Sequence, residues 1–110
     1  VTAGFMELET TTANSGASWT PSGISNMYVV TVTDALTVGA WPGVTGSTKP
    51  KAFSAMIYLI QDTTGHTVTL DASYGALNDT EIATTANAVT ILQLTYPGVG
   101  DIVDMVVVTR

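Results

Sequence analysis

Nowhere in this chain do a dozen consecutive residues carry apolar side chains at the i, i+3, i+4 and i+7 spacing of an amphipathic helix. Threonine and valine dominate instead, with twenty threonines among 110 residues. The branched Cβ of both suits a pleated strand and crowds a helical turn. Strands are predicted over residues 5–11, 27–33, 36–38, 52–61, 66–71, 88–95 and 102–109, with a short edge piece at 81–84. Between them lie "ANSGAS", "TPSGIS", "WPGVTGSTKPK", "SYGALNDT" and "YPGVGD", which concentrate Gly, Pro, Ser and Asn. Short strands separated by such breakers predict an all-β fold. The expected architecture is an antiparallel β-sandwich of jelly-roll or Greek-key type with about seven or eight strands. The length suits one domain over residues 1–110, with residues 1–10 as an N-terminal arm used in docking.

Alternation assigns the faces. In "AFSAMIYLIQ", Phe53, Ala55, Ile57 and Leu59 point one way, and Ser54, Met56, Tyr58 and Ile60 the other. In "DIVDMVVVTR", Ile102, Asp104, Val106 and Val108 oppose Val103, Met105, Val107 and Thr109. Strands apolar on both faces predict one face in the core and the other against a neighbouring subunit, since a solitary exposed strand of this kind tends to aggregate. Phe5, Met6, Met56, Tyr58, Met105 and Val107 are the expected contact residues.

Charge excludes several partners. Only 11% of residues are charged, and the net charge of −6 leaves Lys49, Lys51 and Arg110 as the cations. No cluster able to neutralise phosphates can be assembled, which argues against nucleic acid and against anionic membrane. No apolar run approaches the ~20 residues of a membrane span. The absence of cysteine removes disulfides, thiol catalysis and thiolate metal sites.

The segment "LIQDTTGHTVTLD" contains the one histidine, His66, between Asp62 and Asp71. Asp62 and Gly65 occupy the first and fourth positions of a turn, which predicts a hairpin with His66 at its end. By parity His66 lies with Val68 and Leu70, and Asp71 faces the other way, so a His–Asp71 pair on one strand face is not expected. Catalysis or metal binding needs further converging groups, so no catalytic residue, metal or cofactor is expected. Glu7 with Glu9, and Asp101 with Asp104, read as solvated carboxylates rather than an acid–base pair across a cleft. "NDTE" at 78–81 reads as a loop, although its first three residues match an Asn-x-Thr glycosylation pattern. Trp19, Trp41 and Tyr74 stand at loop ends. There they serve either as plugs of the sandwich or, with His66, as contacts to a ligand such as a sugar ring.

Three stretches, "YVVTVTDALTV", "AFSAMIYLIQDTTGHTVTLD" and "IATTANAVTILQLTYPG", together resemble small all-β modules of tailed-bacteriophage structural proteins: tail-fibre, tail-tip and capsid-decorating proteins. The resemblance is carried by Gln61 and Asp62, by Thr64 and Gly65, by residues 67–69, and by residues 86–89 leading into 91–94. It departs at Leu70, where such modules often carry a Trp, and in the closing strand, where they tend to carry an aromatic residue. The resemblance implies a non-enzymatic virion component, commonly a homotrimer, docked on capsid or tail proteins. The expected role is to decorate or stabilise the capsid or to form part of a fibre, with the compact chain leaning toward decoration. The alternative is a receptor- or carbohydrate-binding module of a tail fibre or tail tip, contacting a host surface glycan.

Overall fold

A computed structural model describes residues 8–13 and 18–110 of the protein. Nine strands are present among them: β1 (Leu8–Ala13), β2 (Ser18–Trp19), β3 (Met27–Val32), β4 (Leu36–Val38), β5 (Phe53–Gln61), β6 (Val68–Leu70), β7 (Tyr74–Ala76), β8 (Val89–Tyr96) and β9 (Val103–Thr109). They form a six-stranded sheet in the order β1-β3-β5-β8-β9-β7 and a three-stranded sheet in the order β2-β4-β6. Two of the short strands, β2 and β7, lie in stretches that the sequence presents as turns. Residues 81–84, expected as an edge strand, are loop. The expected arm overlaps β1 at residues 8–10; the remainder, with Phe5 and Met6, lies outside the described residues.

The two-layer, all-β expectation holds, but the direction of pairing differs from it. From β1 to β6 the chain alternates between the sheets, so each strand meets its in-sheet neighbour one circuit later and runs parallel to it. The register sets Leu8 beside Met27 and Met27 beside Met56 in one sheet. In the other, Ser18 stands beside Thr37 and Leu36 beside Val68. Only β5–β8 and β8–β9 are antiparallel; β7 joins β9 in parallel. Parallel neighbours need a crossover, and here each crossover is a strand of the opposite layer. The segment read as a hairpin is accordingly a corner: β5 ends in the large sheet and β6 begins in the small one. Alternation cannot distinguish these cases, because a strand with one buried face has the same period whichever way its neighbour runs.

The core lies between the layers. Burial alternates strictly along β3 and β5, and inward Tyr28, Val30, Val32, Ala55, Ile57 and Leu59 meet Leu36 and Val38 of the small sheet. Inward Leu92, Leu94, Val103, Met105 and Val107 complete the cluster. One end of the sandwich, where β2, β4 and β8 finish, is closed by aromatic rings. Trp41 stacks on Phe53 with centroids 4.2 Å apart, and meets Tyr28 edge-on at 5.7 Å. Trp19 and Tyr96 extend the chain of rings on either side. The buried Tyr28 hydroxyl accepts the N–H groups of Gly23 and Ser25, which ties the loop over this end to the plug. At the opposite end the corner 62–67 packs on the loop 77–88.

Candidate functional site

The outer face of the six-stranded sheet is the surface that its strands build without covering it. The residues that alternate outward are Met27, Val29 and Thr31 on β3, Ser54, Met56, Tyr58 and Ile60 on β5, Val89, Ile91, Gln93 and Thr95 on β8, and Asp104, Val106 and Val108 on β9. Register arranges them in rows across the strands. Val29, Tyr58, Ile91 and Val108 form one; Met27, Met56, Gln93 and Val106 form the next. Such cross-strand neighbours lie within contact distance of one another. Asp104 is the one carboxylate in the set, and the one cation is Arg110, which continues β9 opposite Val89 at the far corner of the face. The result is a continuous apolar surface on the central strands, bordered on one side by the polar row Ser54, Thr95 and Asp104.

The sequence-predicted contact residues divide here. Met56 and Tyr58 lie on this face. Met105 and Val107 do not: they are 2% and 3% exposed, packed in the core with Val103. Both faces of the last strand are apolar enough to go inside, and only the second layer decides which does. The outward positions of β9 are therefore Asp104, Val106 and Val108. Met27, Val29, Ile91 and Gln93 belong to the same surface, and the alternation in "MYVVTV" and "VTILQLTY" was the signal for them.

Of the aromatic ligand candidates, Trp19 and Trp41 are parts of the plug and Tyr74 belongs to the core beside it. Trp41 is 4% exposed and Tyr74 is 7% exposed. The Tyr74 hydroxyl donates to the Gly39 carbonyl at 2.7 Å, and burial, with Asp71 nearby, pushes its pKa well above the usual tyrosine value. Trp19 is half-buried against Tyr28.

His66 pairs with Asp62, not with Asp71: its Nε2 lies 3.0 Å from Asp62 Oδ2. Asp62 Oδ1 also accepts the N–H groups of Thr64 and Gly65, so the carboxylate closes the corner from within. Buried Gln61 completes it. Its amide N–H donates to the carbonyls of His66 and Ala83, and its Oε1 accepts the His66 N–H. These contacts are what a corner locked to its neighbouring loop requires, and they leave no reacting group facing a cleft. Asp71 holds its own turn by accepting from the Ser73 N–H and hydroxyl. The His66 hydrogen bond, then those from Gly65 and Thr64, hold the Asp62 pKa down at about 2. A carboxylate whose pKa is depressed by folding stabilises the fold fully above its ordinary value of 3.8 and loses that contribution as pH falls through about 2. The difference in urea midpoint between wild type and Asp62→Asn is therefore expected to be present at about pH 4 and to shrink toward zero as pH falls through about 2. A difference that persists undiminished at pH 2 contradicts this role for the carboxylate.

The remaining polar candidates are structural. Asp101 pairs with Lys49, whose ammonium also donates to the Val44 carbonyl. The Asn78 side chain both accepts from the Val107 N–H and donates to the Val107 carbonyl, extending the sheet edge beyond β7 as a backbone would. Glu7 lies outside the described residues, and Glu9 stands opposite Tyr28 in the register of β1 on β3. Among the described residues no group of three or more His, Asp or Glu side chains is placed to hold a metal ion, and no helix is long and apolar enough to cross a membrane.

Against known proteins, a family model described as "Putative phage tail fibre C-terminal domain" matches residues 19–101. The match runs from the end of β2 to the turn before β9, and so covers most of both sheets. Neither the curated proteins nor the solved structures contain a match to the chain.

Proposed function

The chain belongs to the phage tail-fibre C-terminal domain family, and from that premise we propose that it acts in the fibre by packing the outer face of its six-stranded sheet against copies of itself, as a homotrimer. The domain is a structural part of the virion tail. The observation that carries the proposal is the apolar surface of β3, β5, β8 and β9, whose only charges, Asp104 and Arg110, stand at its borders. A face so poor in charge is stabilised by being covered: removing apolar area from water contributes about 25 cal/mol per Å². Polar backbone groups on it are already paired within the sheet. Family membership supports a place in the fibre over decoration of the capsid.

Sedimentation of wild type and Tyr58→Asp tests this. Wild type is expected to sediment as a trimer. An aspartate buried without a partner in the middle of the face is expected to weaken association by about 100-fold or more. Tyr58 points outward from the subunit, so the variant retains the folded monomer's circular dichroism. A wild-type monomer at every concentration, or a Tyr58→Asp trimer of undiminished affinity, defeats the proposal.

A second reading, contact with a host surface glycan, is favoured by one local feature. Two adjoining depressions of about 400 and 320 Å³ meet at Asn26 and Ser54. Gln93 and Thr95 line one of them and Phe53 the other, so amides and hydroxyls stand beside an aromatic edge as sugar recognition requires. Titration with host-surface oligosaccharides tests it, and an absence of heat or chemical-shift change for all of them rejects it.

A further inference from the structure

Gln93 is out of place on the surface just described. Its strand neighbour on the same face is Ile91, and its cross-strand partners are Met56 and Val106; on the fourth side is Thr95. The side chain is exposed, and among the described residues no hydrogen bond within the chain holds its amide. Water serves it in the isolated subunit. Once the face is covered, that water is gone, and an amide left without partners disfavours any arrangement that buries it. Arrangements that supply a partner are selected. A primary amide carries both a donor and an acceptor, so Gln93 of one copy is complementary to Gln93 of another, which is not true of a carboxylate or an ammonium.

We infer that Gln93 sets the number and register of the copies that pack on this face, its amide donating to one neighbour's Gln93 and accepting from another's around the symmetry axis. The inference rests on the self-association proposed above. The occupant is a second copy of this chain because identical amides satisfy one another. The two charges of the face lie at opposite borders, Asp104 in the polar row and Arg110 beside Val89, so none stands in the row of Gln93 to call for a charged partner. A single buried amide in an otherwise apolar seam is a known physical means of specifying stoichiometry at some expense in affinity. Apolar side chains alone slide over one another with little preference, whereas an amide has defined partners or none.

Native mass spectrometry and hydrogen exchange on wild type, Gln93→Leu and Gln93→Glu separate the two ideas. Wild type is expected to show one assembled stoichiometry. Gln93→Leu is expected to associate at least as tightly but to populate two or more stoichiometries. Gln93→Glu is expected to associate about tenfold or more weakly at pH 7 and to recover when the carboxylates are protonated near pH 4, because like charges then no longer meet. If wild type is monomeric, self-association and the role of Gln93 fall together. If wild type assembles with the sheet face protected from exchange, and both Gln93 variants keep its single stoichiometry and its affinity, self-association stands and the role assigned to Gln93 is overturned.

Discussion

Trp41→Ala is expected to lower the free energy of unfolding by about 3–5 kcal/mol, the range found for deleting a buried large aromatic side chain. The residue lies in the turn-rich stretch "WPGVTGSTKPK", where an exposed aromatic would cost the fold almost nothing to lose. It is instead the middle of the ring chain, stacked on Phe53 and set edge-on to Tyr28. Truncation removes both contacts and opens a cavity beside Tyr28, itself the anchor of the loop above through Gly23 and Ser25. Losses on that scale shift the thermal midpoint by more than about 10 °C. Urea unfolding monitored by circular dichroism measures the effect. A loss below about 1 kcal/mol shows that Trp41 is not a core residue, and reopens a ligand-contacting role. Any loss of glycan binding in this variant has to be judged against its fraction folded.

The second large effect is expected at Gly65, where Gly65→Ala should cost about 2–4 kcal/mol from two sources that a control separates. The backbone φ is +85°, a region that an L side chain occupies only with strain. A Cβ built there also collides with the Thr84 carbonyl oxygen and comes within 2.9 Å of the Thr85 carbonyl carbon. Both are backbone atoms and cannot swing aside, so the corner 62–67 and the loop 77–88 have to separate. Gly100 has the same φ, but nothing lies within 4 Å of its Cβ position. Gly100→Ala should therefore show the backbone part alone, about 1 kcal/mol. Hydrogen exchange supplies the local readout. In Gly65→Ala the Asn87 N–H, which donates to the Asp62 carbonyl, should lose protection beyond the global change. Equal costs at the two glycines would show that the close approach of the loops contributes nothing.

How far these features could be read from residue order differs from place to place. The turn at Asp62 and Gly65 was legible, because an aspartate three residues before a glycine has a local use in either a hairpin or a corner. Which of the two it makes was not, since that depends on whether β6 finds β5 or β4 beside it. The Asp62–His66 contact follows from the tightness of the corner and had no strand-face signal. Met56 and Tyr58 were legible as outward because Ser54 marks their face as the wetter one. On β9 the two faces are nearly equal in apolar character, and parity alone placed Met105 and Val107 on the wrong one. Trp41 and Tyr74 were legible as aromatics at loop ends, open to use as plugs or as ligand contacts. Which of the two holds depends on what distant segments bring to them, Tyr28 and Phe53 to Trp41 and the Gly39 carbonyl to Tyr74.

Residue order by itself determined that this protein is made of strands, that each has an inner and an outer side, and that too few charges exist to clothe the outside. Branched side chains and two-residue alternation are local properties and persist in any arrangement of the strands. Tertiary structure alone decided that the first six strands wind between layers and pair in parallel, which side of β9 is core, and that Gln93 comes to lie among Met56, Ile91 and Val106. Those outcomes depend on which distant segment supplies the neighbouring strand. The pattern along any one strand is compatible with several neighbours, and the choice among them rests on how all the inward side chains fill one space together.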